Sequence, residues 1–178
     1  MNRTGFYIKA ACYGFLLAAG IYALHGCSAT AVLSESEQLT PENVRAAVES
    51  REYKIDATRM QTMRGRSRTL SFSYYIEIDG DSLVSYLPYV GRAYTVPYGG
   101  DEGLDFDGQI TDYRLSEGKR GQMEISFKTR SRDDGYGYRI VIWPENGSAD
   151  ISIQPVNKEP ISFTGRVNLR KKKNAGSE

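Results

Sequence analysis

The side chains best suited to chemistry are scarce and unevenly placed. The 178 residues hold one histidine and two cysteines, and all three (Cys12, His25 and Cys27) lie in the first 27 positions. From Ser28 onward there is neither imidazole nor thiol. That closes the Ser-His-Asp and Cys-His routes to an activated nucleophile and leaves no basis for a zinc site or a disulfide framework. No Ser-x-x-Lys signature stands out. The glycine-rich stretch from Pro97 to Gly103 lacks Gly-Lys-Ser/Thr and a following helix, so it is no phosphate loop. Carboxylates remain. Asp101-Glu102, Asp105 and Asp107 lie close together, and Asp105 and Asp107 share a face if the segment is extended. Such oxygens suit Ca²⁺, but the EF-hand spacing is absent. No metal and no cofactor is expected. A glycosidase needs two carboxylates facing across about 5–10 Å, and no pair is singled out; Glu77 and Glu124 fit strand patterns as outward charges. A histidine-free hydrolase using the acids from Asp101 to Asp107 is the competing function class.

The second chemical cluster is aromatic. Tyr86, Tyr89, Tyr94 and Tyr98 place four phenols within 13 residues, with Arg92 among them. A tyrosine has an apolar face and a polar tip, which suits sugar stacking and a half-buried core equally. Two readings stand: the rings line a groove for a glycan, peptide or other envelope component, or they cover the sheet and close one barrel end. Arg92 can grip a carboxylate or phosphate in a fork, or pair locally with Asp101 or Asp105. Arg64, Arg66 and Arg68 alternate, as three guanidinia on one strand face or as a solvated loop. The net charge of +1 argues against a nucleic-acid binder.

The N-terminus accounts for the missing His and Cys. Arg3 and Lys9 precede an apolar run from Ala10 to Leu24, a charged n-region followed by an h-region too short for a comfortable span. The run ends Leu24-His25-Gly26-Cys27, which resembles the lipobox of bacterial lipoproteins, with His25 departing from the usual small or β-branched residue. The resemblance implies cleavage before Cys27 and acylation of that residue with palmitate-like chains. Three chains, at roughly 0.8 kcal/mol per buried CH₂, anchor a protein to a membrane essentially permanently. An uncleaved anchor helix and an ordinary signal cut elsewhere are the alternatives. The mature chain is then 152 residues, and loss of Arg3 and Lys9 takes its formal charge from +1 to −1. No Asp follows Cys27, so the usual inner-membrane retention signal is absent. The expectation is the outer membrane, facing the periplasm, with the cell surface left open.

These side chains need a scaffold. Residues 1–26 read as the signal and 27–39 as a polar tether reaching at most about 40 Å at 3.3–3.6 Å per residue. Residues 40–168 read as one β-rich domain and 169–178 as a basic tail. Thr40-Pro41-Glu42 carries a helix start, with Val44, Ala47 and Val48 on one face and an end near Arg51. Strand patterns follow at Tyr53–Ala57, Leu70–Ile78, Ser82–Leu87, Leu104–Leu115, Gln122–Lys128, Tyr138–Trp143, Ala149–Gln154 and Ile161–Val167. Turn chemistry lies between them, as at Asp79-Gly80-Asp81 and Asp133-Asp134-Gly135. With no helix between strands, the fold class is all-β and antiparallel, a sandwich or a barrel-like sheet with one short N-terminal helix. Thirteen tyrosines and 18 glycines agree with it. Pro88 and Pro97 place their segment at an edge or in a loop.

The stretch Ser85-Tyr86-Leu87-Pro88-Tyr89, Gly91-Arg92-Ala93-Tyr94, Pro97-Tyr98-Gly99-Gly100, then Phe106 and Gly108, is the most distinctive. Together with the lipobox it resembles a family of small gut-bacterial lipoproteins known as domain-of-unknown-function family DUF4251. The likeness runs from about Val44 to Val167. It implies a single, mostly-β envelope domain and no particular activity. The leading functional expectation is a non-catalytic, lipid-anchored envelope lipoprotein that binds a glycan or partner protein through Tyr86, Tyr89, Arg92, Tyr94 and Tyr98.

Overall fold

The computed structural model describes residues 38–92, Tyr94, 103–132 and 134–169. Cys27, Tyr98, Asp101 and Glu102 lie outside them. The helix α1 (Pro41–Ser50) forms where its caps dictate. The Thr40 hydroxyl accepts from the Asn43 N–H at 3.2 Å, and Pro41 occupies the first turn. Arg51 closes the helix in the left-handed region at φ 59°, its N–H bonded to Val48 O. Val44 and Val48 are fully buried and Ala47 packs against the same core. A helix this short persists through that apolar face rather than by propensity.

The strands are β1 (Glu52–Thr62), β2 (Ser67–Asp79), β3 (Ser82–Leu87), β4 (Leu104–Gln109), β5 (Thr111–Glu117), β6 (Met123–Arg130), β7 (Gly135–Trp143), β8 (Ser148–Pro155) and β9 (Ile161–Asn168). They make one sheet in the order β4-β3-β2-β1-β9-β8-β7-β6-β5. Neighbours are antiparallel. Apart from β1 with β9, neighbours are consecutive in sequence, so the sheet is an up-and-down meander whose first strand pairs with its last. Sequence leaves sandwich and barrel open; the structure is a nearly closed barrel. The hairpin turn at Gly80 (φ 58°) uses a conformation glycine adopts freely.

Closure depends on one split strand. β4 and β5 are the two sheet edges, yet only Ile110 separates them in sequence. The single strand expected from Leu104 to Leu115 therefore breaks at Ile110, its first half pairing with β3 and its second with β6. Asp112 takes φ 56° and the register with β6 shifts beside it, so inward positions change from even to odd numbers. The row of partners Asp105, Tyr86, Tyr75, Asp56, Arg166, Ser148 and Trp143 runs around the barrel and arrives beside the β5–β6 turn, not back at Asp105. Such stagger is what barrel closure with tilted strands requires.

The interior is apolar, filled by alternating residues such as Ile55, Ile76, Leu83, Ile125, Ile140, Ile151 and Phe163. Two aromatic columns stand within it. Tyr113, Phe127 and Tyr138 stack with successive centroids 6.2 and 4.9 Å apart, and Phe106 stacks on Tyr136 at 4.7 Å. Buried Tyr138 donates to Ser85 Oγ at 3.2 Å, and Ser85 donates to Leu104 O at 2.8 Å. Gly165 is needed for close approach, since a Cβ there would lie 2.3 Å from the Asp56 carbonyl oxygen.

Candidate functional site

The meander sends its turns to two opposite ends. One end gathers α1 and the β2–β3, β5–β6 and β7–β8 turns; we call it the helix end. The other gathers the β1–β2, β3–β4, β6–β7 and β8–β9 connections; we call it the loop end. The sequence cluster around Tyr89 and Arg92 falls on the loop end.

The β8–β9 connection is the hub there. Asp134 of the β6–β7 connection is buried, and its carboxylate accepts from the Gly135 N–H at 2.8 Å and from the Asn157 backbone and side-chain N–H groups at 3.2 and 3.1 Å. The β3–β4 connection docks on the other side of the hub. Tyr94 N–H donates to Asn157 O at 2.7 Å, and Glu159 N–H donates to Arg92 O at 3.0 Å. The Glu159 carboxylate accepts from the Arg92 N–H at 3.4 Å and faces Arg64 of the β1–β2 connection at 3.7 Å. Four loops are thus joined by directional polar contacts.

The five singled-out residues separate within this frame. Tyr89 is half-buried, its hydroxyl donating to Glu159 O at 3.0 Å and Arg92 O at 3.2 Å. Desolvation raises its pKa above the ordinary phenol value, with the hydrogen bond to Glu159 acting the other way. The ring carries the Lys158 ammonium 5.1 Å from its centroid. Tyr94 is 69% exposed, and the exposed Arg92 guanidinium makes no ion pair among the described residues. Tyr86 belongs to the barrel wall, where its ring lies 5.4 Å from Tyr74 and 5.9 Å from Tyr75, its cross-strand partner. Lys54 lies 3.7 Å over the Tyr75 ring. Tyr98 is outside the described residues. Arg64 and Arg66 occupy the β1–β2 turn and only Arg68 enters β2, so the three do not form one strand face.

Of the acids, Asp105 and Asp107 both point outward from β4. Asp107 borders an open depression with Asp79 and Asp81, and Arg51 takes Asp81 in a 2.6 Å ion pair. Among the described residues no group of three or more His, Cys, Asp or Glu side chains is arranged to hold a metal, and no helix is long and apolar enough to cross a membrane.

Sequence reasoning missed Asp134, Asn157 and Glu159 as organisers of this end. Their turn signals, Asp133-Asp134-Gly135 and Asn157-Lys158-Glu159-Pro160, were legible; their meeting across the barrel mouth was not. It also missed Arg51, whose guanidinium sits 4.2 Å over the Tyr113 ring while pairing with Asp81. That side chain bridges the gap between β5 and the β2–β3 turn.

The sequence profile described as domain of unknown function (DUF4251) matches residues 35–167. The chain belongs to the DUF4251 family. A crystal structure of a DUF4251 family protein from Bacteroides eggerthii DSM 20697 is similar, with TM-score 0.58 and 16% identity, over 75% of this chain and 89% of that one. At that identity the likeness establishes the shared fold. No curated protein matches the chain. DUF4251 membership brings no activity with it, so function is argued from the residues themselves.

Proposed function

We propose that this DUF4251 protein is a lipid-anchored, non-catalytic module of the bacterial outer membrane, facing the periplasm, which presents its loop end and adjoining Tyr86 wall to an envelope component such as a glycan or partner protein. The observation that supports this best is the asymmetry of the barrel. The helix end is plugged by Val44 and Val48, and the chain enters there through Leu39, whose side chain lies against Gly147. The opposite end holds Arg92 and Tyr94 outward on loops fixed by Asp134 and Glu159. Gln38 and Leu39 thus precede α1 at the end opposite the outward Arg92 and Tyr94.

The hydrolase alternative has less support. Asp105 and Asp107 line the outside of β4 rather than opposing walls of a cleft, whereas two-carboxylate hydrolysis needs facing groups. Two experiments test the proposal. Cys27→Ser is expected to abolish acyl labelling and release the protein from membranes; an unlabelled variant that stays membrane-bound defeats the anchor. A photo-crosslinking side chain at Tyr94 is expected to capture an envelope component in the native host, while the same group at Glu145, on the helix end, captures none. Equal capture at both sites defeats the assignment of the loop end.

A further inference from the structure

Among the described residues the two ends differ in charge as well as in closure. The described helix end carries Glu42, Glu49, Glu52, Asp79, Asp81, Glu117 and Glu145 against Arg45, Arg51, Lys119 and Arg120, and Arg45 and Arg51 are already paired with Glu117 and Asp81. The loop end carries Arg64, Arg66, Arg92, Arg130, Arg132 and Lys158. Its described acids are Asp134, held by N–H groups, Glu159, held by the Arg92 N–H and Arg64, and the exposed Asp105 near the start of β4. Asp101, Glu102 and Asp133 in the loop-end connections, and Arg170, Lys171, Lys172 and Lys173 after β9, lie outside the described residues. Lys158 is 8% exposed, with its ammonium over the Tyr89 ring and no carboxylate within ion-pair distance among the described residues.

Apolar side chains share the same end. Met63, Val90, Tyr94 and Val156 are 69, 50, 69 and 73% exposed, and they come from three different connections. A glycan on the Tyr86 wall leaves the Met63, Val90 and Val156 tips without a contact. An acidic protein would pair with the arginines but has no need of separated aliphatic tips. Aliphatic tips set among cations fit the boundary between acyl chains and anionic headgroups.

We propose that the loop end docks on an anionic lipid surface, with its exposed arginines on headgroup phosphates and Met63, Val90, Tyr94 and Val156 entering the interface. This contact uses the loop end of the proposed function but is independent of the Cys27 anchor.

The test uses the unlipidated chain from Ser28 to Glu178, since Leu33–Glu178 forms a compact unit by itself. It is expected to co-sediment with phosphatidylcholine vesicles that contain phosphatidylglycerol and not with phosphatidylcholine alone. Added salt should weaken binding. Arg130→Gln with Arg132→Gln should weaken it about thirty-fold, at about 1 kcal/mol per cation near the surface. Lys119→Gln with Arg120→Gln removes the same charge from the helix end and should leave binding unchanged. Met63→Ser with Val156→Ser should weaken binding several-fold at unaltered melting temperature. The proposal is overturned if no vesicle binds, or if the two charge pairs weaken binding equally. It is also overturned if the serine pair changes nothing while polyglutamate binds as well as vesicles, which would make the loop end a receptor for acidic polymers. Failure here leaves acyl labelling of Cys27 and capture at Tyr94 to be judged separately.

Discussion

The barrel is closed in two different ways at its two ends. At the helix end, Val44 and Val48 drop from α1 into the apolar interior. At the loop end, no helix intervenes among the described residues, and connections are tied through Asp134, Asn157 and Glu159. Apolar closure is non-directional and couples the helix to the whole core. Polar closure is directional and local, and such regions open at lower free energy than core strands. It also leaves other side chains free to face outward, which is where Arg92, Tyr94 and Val156 are found. The difference teaches that one end is built to stay shut and the other to present a surface.

The sharpest way to break this comparison is to charge each end. Val48→Asp puts a carboxylate where the side chain is fully buried, and an uncompensated buried charge costs about 3–5 kcal/mol. Loss of the cooperative thermal transition is the expected outcome. Tyr94→Asp, on an exposed ring, should leave the melting temperature within a degree or two of the parent, since exposed changes stay within about 0.5 kcal/mol. Comparable losses at both positions would end the distinction.

Alkaline pH should act on the helix end through Tyr53. The Tyr53 and Tyr113 hydroxyls are buried and face each other. Burial raises both phenols above their usual pKa, and Tyr53 well above it. Tyr138, deeper in the barrel, is raised by burial as well. A raised folded-state pKa means that the folded state holds its proton more tightly than the unfolded one. The stabilisation is complete below the unfolded value of about 10 and is lost as pH rises from there toward the folded values. Denaturant melts followed through that window should show a steep fall, blunted by Tyr53→Phe. An unchanged slope in that variant would mean that the phenol ionises without unfolding the helix end.

Asp134→Ala attacks the polar closure. It removes a buried carboxylate that accepts N–H groups from Gly135 and Asn157, at a cost of about 1.5–3 kcal/mol. Hydrogen exchange should accelerate in the β3–β4, β6–β7 and β8–β9 connections while core strands such as β7 keep their protection. Uniform acceleration across the barrel would show the loop end to be part of the same cooperative unit as the core.

How much of this was readable beforehand follows from the range of each interaction. The helix was legible because Thr40, Pro41 and the Val44–Val48 spacing act within one or two turns. The strands were legible from period-two alternation, and Ser82–Leu87 was placed to the residue. The break at Ile110 was written in the sequence as well, since Leu104, Phe106 and Gly108 fall on even positions and Tyr113 on an odd one. It takes the left-handed Asp112 to give that change of phase a meaning. Barrel closure was not legible, because β1 meets β9 across more than a hundred residues and nothing in either strand names its partner. For the same reason the tyrosine stretch was seen but its division was not. Tyr89 is drawn inward by carbonyls of Arg92 and Glu159, Tyr86 stays on the wall, and only their separate neighbours decide which is which.

The smallest effect probes the joint between tether and barrel. Thr40 caps α1 through its hydroxyl, and Gln38 O accepts from both the Thr40 N–H and the Asn43 side chain. Thr40→Ala removes one of these contacts and should cost about 1 kcal/mol, whereas Thr40→Ser should cost much less because the accepting oxygen remains. If the helix end is one cooperative plug, this loss at its first turn appears in the global melt. Exchange at β5 and β6 should then rise together with exchange in α1, because Arg45 ties the helix to Glu117 and to Gly121 O. If α1 instead frays alone, the global transition stays in place and only the first helical turn loses protection. That result would make the helix a detachable lid, and the contrast between a sealed end and an open end would have to be drawn at β1 rather than at α1.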